Sequence, residues 1–313
     1  MRIVTLTLNP AIDKTLYCDS FSIGDTNRIQ SIIEDIAGKG INVTKNLREH
    51  DLQSTVVGIF AGEQGQRSYE SLCRQGFEVI RIEAEGETRV NQKIVDKMGI
   101  TTELNELGPM ITQQTIETLY TWIDLNACKE DLYILSGSLP QGAPKTLYRD
   151  LVMKLNDLGA KTILDASGES LIEGLKGIPY CVKPNDDEIQ TLLQLNRKPT
   201  EIEMVQCAND IINTGVELVV ISLGKEGAYF ISKNQLIKGE GLDLISQSSV
   251  GAGDAMVSAL AYSIFQEYTL EDTAIRAIAT SGAAVETKGT KPGSKKRVQE
   301  LMKLVKIEKG ELI

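Results

Sequence analysis

Ser248-Ser249-Val250-Gly251-Ala252-Gly253-Asp254-Ala255-Met256 opens a strongly helical run that reaches Phe265. Two glycines and an alanine at a helix entrance leave backbone N–H groups uncovered by side chains. Those amides, together with the positive end of the helix, make an anion site. Asp254 follows directly. A carboxylate beside an anion site can take the proton of an attacking hydroxyl, which is what transfer of a phosphoryl group to an alcohol requires. An acidic residue in the first turn is equally what ordinary helix capping supplies, so this stretch alone leaves both readings open.

Three further stretches have comparable chemistry. Ile36-Ala37-Gly38-Lys39-Gly40-Ile41-Asn42-Val43 is glycine-rich and also opens a helix. Gly38 and Gly40 allow close approach to backbone, Lys39 offers a cation, and Asn42 can donate and accept, a mixture suited to a polyol phosphate. Val182-Lys183-Pro184-Asn185-Asp186-Asp187-Glu188 follows a strand-like run. Asn185 and Glu188 are three apart and share a helix face, where they can hold hydrated Mg²⁺ through oxygens or form a capping box. Ser222-Leu223-Gly224-Lys225-Glu226-Gly227-Ala228 comes after another such run and could bring hydroxyl and amide groups to nucleotide phosphates, or simply turn a hairpin. No GxxxxGK followed by Ser or Thr occurs, so none of these is a Walker A loop.

Composition narrows the alternatives. The 313 residues carry a formal charge of −10, which excludes a broad basic face for nucleic acid. The five cysteines are Cys18, Cys73, Cys128, Cys181 and Cys207, widely separated and without a CxxC pair. With His50 the only histidine, a zinc site or a His-based nucleophilic mechanism has almost nothing to build on. His50 itself is expected as a solvated helix cap. Met1-Arg2 leads straight into a strand-like run, and the apolar stretches fall far short of the roughly 20 residues of a membrane span. The expectation is a cytoplasmic protein.

The elements that must position these groups alternate. Strands are expected at Ile3 to Leu8, Thr55 to Phe60, Leu132 to Ser136, Thr162 to Asp165, Tyr180 to Lys183 and Leu218 to Leu223. Their nearly continuous apolar character suits parallel strands buried on both faces. Amphipathic helices are expected at Ile41 to His50, Thr112 to Asn126, Lys145 to Leu158 and Ile202 to Thr214. That rhythm predicts a doubly wound α/β sandwich, whose ligands gather at the carboxyl ends of the strands. Two segments, about 14–35 and 87–106, alternate polar and apolar residues instead and predict a small sheet able to act as a lid. No linker or repeat divides the chain, so residues 1–313 are read as one domain.

The four stretches, in their order along the chain, resemble the ribokinase-like sugar kinases, specifically their phosphofructokinase-B group, over essentially the whole chain. Leu8-Asn9-Pro10-Ala11-Ile12-Asp13, Gly86-Glu87-Thr88-Arg89-Val90-Asn91 and Ser136-Gly137-Ser138-Leu139-Pro140 add to the match. The resemblance implies a ribokinase-like fold, ATP and Mg²⁺, and a sugar phosphate as acceptor. It implies Asp254 as base, with Gly251, Ala252 and Gly253 as the anion hole. Asp13, Gly38, Lys39, Gly40, Asn42 and Ser138 are assigned to the sugar, and Arg89, with Lys39 and Arg28, to its phosphate. Asn185 and Glu188 are assigned to magnesium, through water, and to nucleotide phosphates; Lys183, Ser222, Gly224, Gly227 and Ser249 are assigned to ATP. Ser249 stands where relatives usually carry threonine. The small sheet is implied to contribute to a homodimer.

Within the group, Asn9-Pro10-Ala11-Ile12-Asp13 and Glu87-Thr88-Arg89-Val90-Asn91 are most similar to the branch that converts fructose 1-phosphate to fructose 1,6-bisphosphate. The branch acting on tagatose 6-phosphate shares most of these features. A kinase of nucleosides or unphosphorylated sugars, and a non-catalytic sugar-phosphate sensor, are the competing expectations.

Overall fold

The chain folds as a run of buried strands joined by helices, and residues 1–310 are described by this computed structural model. In chain order the strands are β1 (Ile3–Thr7), β2 (Ala11–Cys18), β3 (Ile29–Ala37), β4 (Thr55–Ala61), β5 (Glu78–Ala84), β6 (Arg89–Val95) and β7 (Thr101–Asn105). They continue with β8 (Leu132–Ser136), β9 (Lys161–Asp165), β10 (Cys181–Val182), β11 (Leu218–Ser222), β12 (Gly227–Ser232), β13 (Gln235–Glu240) and β14 (Ile307–Gly310). Ten of them form one sheet in the order β14-β13-β12-β11-β10-β9-β8-β1-β4-β5. From β11 to β5 every neighbour is parallel, while β12, β13 and β14 add an antiparallel edge. The six strands expected from apolar runs are six consecutive members of this sheet.

Both faces of the sheet are covered, which is why those strands read as unbroken apolar runs. Successive residues point to opposite sides. Val4, Leu6, Tyr133 and Leu135 pack into a core with helices Gln113–Asn126, Leu147–Asp157 and Glu201–Asn213. Ile3, Leu132 and Ile134 pack into the core on the other face, with helices Lys39–Glu49, Ala252–Phe265 and Leu270–Val285. Helix Ala252–Phe265 is buried on most sides, between its two neighbours and the sheet. Its apolar residues therefore do not confine themselves to one stripe.

The remaining four strands form a second sheet in the order β3-β2-β6-β7. β2 pairs antiparallel with β3 and parallel with β6, and β6 pairs antiparallel with β7. The two polar–apolar segments of the sequence thus meet, with β2 starting at Ala11 and β3 running to Ala37. Strand order in the large sheet reverses at β1: the chain steps from β1 to β4 and β5 on one side, then returns to build β8 to β11 on the other. The carboxyl ends around this switch point are where a doubly wound sheet opens a crevice.

One expectation is corrected. His50 does end the helix Lys39–Glu49, its N–H donating to the Leu47 carbonyl, but it is buried rather than solvated. Burial, followed by the charges of Arg276 and Lys295, lowers its pKa to about 4 and keeps the ring neutral.

Candidate active site

The crevice at the strand ends is a cavity of about 660 Å³. Its walls include Ala11 and Asp13 of β2, Gly38, Lys39 and Asn42 at the entrance of one helix, and Gly251, Ala252, Gly253 and Asp254 at the entrance of another. Lys183, Asn185 and Glu188 follow β10, Ser222 ends β11, and Gly224 and Gly227 come after it. Arg89, Asn91, Lys93, Glu103 and Asn105 come from the second sheet. The four glycine- and polar-rich stretches, scattered over more than two hundred residues of sequence, therefore face one space.

Asp254 lies in the first turn of Ala252–Phe265, only 7% exposed. Asn42 donates from Nδ2 to its Oδ2 at 2.8 Å. The helix begins at Gly251, whose φ of 86° is a left-handed conformation that a side chain would resist. The first ladder bond runs from Ala255 N–H to the Gly251 carbonyl, so the amides of Gly253 and Asp254 precede it. Burial, then the nearby Asp165 carboxylate, raises the pKa of Asp254 to about 6, against the opposing pull of Lys39, Asn42 and Lys183. A carboxylate tuned to that range is ionised at neutral pH and still holds a proton well when it receives one.

Asp165 was not singled out in the sequence, yet it organises the cations of the site. It closes β9, fully buried, and accepts from Ser136 Oγ at 2.9 Å. Lys39 Nζ lies 3.2 Å from one of its oxygens and Lys183 Nζ 3.2 Å from the other. Burial pushes its carboxyl up, but Lys183, Lys39 and the Ser136 hydroxyl outweigh it and hold the group well below the usual carboxylate range. The Asp165 charge, followed by that of Asp254, in turn holds the Lys39 ammonium well above its ordinary value. One carboxylate thereby pairs with two ammonium groups beside the cavity. The signal in the sequence was slight: an aspartate at the end of an apolar run, at the carboxyl edge of a parallel sheet.

The wall formed by the second sheet is polar. Asp13 accepts from Asn91 Nδ2 at 2.9 Å and pairs with Lys93 Nζ at 2.8 Å. Arg89 donates from Nε and Nη2 to the Asn9 carbonyl at 3.3 and 3.1 Å and makes no ion pair among the described residues. Burial lowers its pKa from the ordinary guanidinium value. Arg89 is thus a half-buried cation near the Asp13 carboxylate but in ion-pair contact with no carboxylate among the described residues.

The model of the pfkB family of carbohydrate kinases matches residues 6–297. The chain belongs to that family. It is 31% identical to the 1-phosphofructokinase of Vibrio cholerae over 308 residues, 98% of this chain and 96% of the relative. It is 29% identical to the 1-phosphofructokinase of Bacillus subtilis, over 97% of this chain and 99% of that one. Among solved structures, phosphofructokinase-2 from Escherichia coli in complex with potassium superposes with a TM-score of 0.92 at 27% identity, covering 97% of this chain and 98% of the other.

In this carbohydrate kinase, not every residue singled out in the sequence reaches the cavity. Gly40 is buried against β1, where a Cβ would stand 2.4 Å from Thr7 Oγ1, so its smallness lets helix and strand approach. Ser138 is exposed and takes a 3.3 Å hydrogen bond from Asn9 Nδ2. Arg28 is exposed in the connection between β2 and β3. Neither Ser138 nor Arg28 lines the cavity. Ser249 does, next to Val250 and Gly251.

Asn185 and Glu188 form a capping box: Glu188 N–H donates to Asn185 Oδ1 at 2.7 Å, and Asn185 N–H to Glu188 Oε2 at 2.9 Å. Burial raises the pKa of Glu188. With these oxygens already engaged, and no cluster of three His, Cys, Asp or Glu among the described residues, the donor set does not make a closed cage. It fits Mg²⁺ held through water and substrate phosphates, the usual mode for that ion. Gly227 turns β11 into β12 at a φ of 110°, and a Cβ there would lie 2.0 Å from the Gly239 carbonyl oxygen. Gly227→Ala should lower stability by about 3 kcal/mol or more, read as a fall in the urea midpoint.

Proposed function

We propose that the protein transfers the γ-phosphoryl of ATP to the 6-hydroxyl of D-fructose 1-phosphate, giving D-fructose 1,6-bisphosphate, with Asp254 as general base. The observation that carries this reading is the buried Asp254 carboxylate at the start of Ala252–Phe265, held by Asn42 in a cavity whose far wall is the polar face of the second sheet. The names of the relatives from Vibrio cholerae and Bacillus subtilis support the choice of fructose 1-phosphate.

In this mechanism Asp254 takes the hydroxyl proton as the oxygen attacks the γ-phosphorus. The amides of Gly251, Ala252 and Gly253 accept the charge that grows on the phosphoryl oxygens, because they are oriented before the reaction begins. Lys39 and Lys183, both paired with Asp165, add positive potential beside them. Asp13, Gly38 and Asn42 orient the sugar, and Arg89 holds its existing phosphate. Lys183, Ser222, Gly224, Gly227 and Ser249 line the nucleotide end. Asn185 and Glu188 hold Mg²⁺ through water, and bound magnesium supplies charge neutralisation on the phosphates. Most of the acceleration then comes from positioning and electrostatics.

The second sheet serves as a lid that excludes water from the transferring group. Its edge strand β3 exposes Ile32 and Ile33, which supports a homodimer formed through this sheet. Residues 1–313 act as one catalytic domain. Among the described residues no helix is long and apolar enough to cross a membrane, and a metabolite kinase using ATP is assigned to the cytoplasm.

The test is ADP release from Mg·ATP with fructose 1-phosphate, tagatose 6-phosphate, fructose 6-phosphate and unphosphorylated fructose run in parallel. Preference for fructose 1-phosphate is the expected result. Preference for tagatose 6-phosphate moves the acceptor and leaves the mechanism, and no turnover on any of the four overturns the reading.

A further inference from the structure

Strand β6 gives the polar wall of the second sheet two side chains with no part in the mechanism above, Asn91 and Lys93. Arg89, Asn91 and Lys93 are alternate residues of β6, so all three side chains leave the strand on the face that lines the cavity. β6 pairs in parallel with β2, and the register sets Asn91 opposite Asp13. The Asp13 carboxylate takes one donor from this strand on each oxygen: Asn91 Nδ2 at 2.9 Å on Oδ1 and Lys93 Nζ at 2.8 Å on Oδ2. A carboxylate only accepts, so the Asn91 amide must present its NH₂ group, and its orientation is fixed. The Asp13 and Lys93 side chains are 13% and 14% exposed, dry enough for the pair to be directional and for the loss of one partner to be felt by the other.

From this geometry we propose that Lys93 and Asn91 are positioning residues for the acceptor sugar, acting through Asp13. The inference rests on Asp13 binding sugar hydroxyls, as in the function proposed above. Two donors, one per oxygen, stop the carboxylate rotating while leaving further lone pairs on each oxygen for hydroxyl protons. An unanchored aspartate at the same position would have to be ordered by the substrate itself, at the expense of affinity. Because the effect is on ground-state binding of one substrate, it separates from chemistry and from nucleotide binding.

The experiment is a double-mutant cycle in steady-state kinetics on the full chain: Lys93→Met, Asp13→Asn and the double variant, with wild type in the same assay. Lys93→Met should raise KM for the sugar phosphate about tenfold, with kcat within about threefold of wild type and KM for ATP unchanged. Lys93→Arg should recover most of the loss. Once Asp13 is Asn, adding Lys93→Met should change nothing further. If the two effects multiply, or if Lys93→Met impairs phosphorylated sugars while sparing unphosphorylated fructose, Lys93 acts on the substrate directly and the inference is overturned. Should Lys93→Met fail to fold by circular dichroism, Asn91→Ala run through the same cycle decides the matter. Wild-type protein without turnover on any sugar phosphate defeats the underlying reading and this inference with it, whereas wild-type turnover with a multiplicative cycle defeats this inference alone.

Discussion

Asp254→Asn should lower kcat at least about a hundredfold while leaving the KM values for ATP and sugar phosphate near those of the wild type. The substitution is nearly isosteric, and a carboxamide can still present an oxygen to Asn42 Nδ2, so the walls of the cavity stay in place. What disappears is the proton acceptor. The same residue sets a pH dependence. Asp254 must be ionised to act, and its pKa is raised to about 6. In the wild type kcat/KM should therefore be flat above that pH and fall about tenfold per unit below it, and the residual activity of Asp254→Asn should lack this limb.

Stability supplies a second reading of the same variant. The folded pKa of Asp254 is raised from 3.8 to about 6, so the native state binds the proton more tightly than the unfolded chain. The sign follows: Asp254 costs nothing below the unfolded value, and stability is lost as pH rises between about 4 and about 6. At neutral pH Asp254→Asn should be more stable than wild type by about 3 kcal/mol, measured by urea unfolding. Near-normal turnover, or no gain in stability, would count against the burial-tuned base.

The parallel sheet was legible because its strands are buried on both faces, and six apolar runs such as Ile3 to Leu8 and Leu132 to Ser136 could mean little else. The small sheet was legible for the opposite reason: β2 and β6 have one polar face, and alternation betrays it. β5 was harder, since Glu78, Arg81 and Glu83 interrupt its apolar residues at the edge of the sheet. The antiparallel strands β12 and β13 follow a stretch that offered both a phosphate loop and a hairpin, and the structure has the hairpin with its glycines also lining the cavity. At the site, glycine-rich helix entrances announced themselves by composition. Gly40 shared that composition but serves packing, because a motif does not say which side of the backbone faces a ligand. Lys93 and Asp165 were not singled out because their roles arise from pairing between distant strands and helices, which local spacing does not encode.

Asp165→Asn is expected to have the largest effect of any substitution outside the reacting groups. Lys183 is 5% exposed, and its only ion pair among the described residues is with Asp165. Removing the carboxylate leaves a buried ammonium without its counter-charge, which should cost about 3 kcal/mol in urea unfolding. The Asp165 carboxyl is held below the usual range, so its contribution is fully present above the unfolded value near 4 and lost only as pH falls through the depressed folded value. The penalty should therefore be constant between about pH 6 and pH 8. Activity should change in a way that a merely loosened fold would not produce. Asp165 raises the pKa of Asp254, while Lys39 and Lys183 lower it. With Asp165 neutral, the lysines act on Asp254 without that opposing charge, so the acid limb of kcat/KM should move to lower pH as kcat falls, because a more acidic carboxyl is a weaker base. A drop in stability with the acid limb unmoved would mean that Asp165 only holds the lysines in place. A limb that moves down would make it the group that tunes the base.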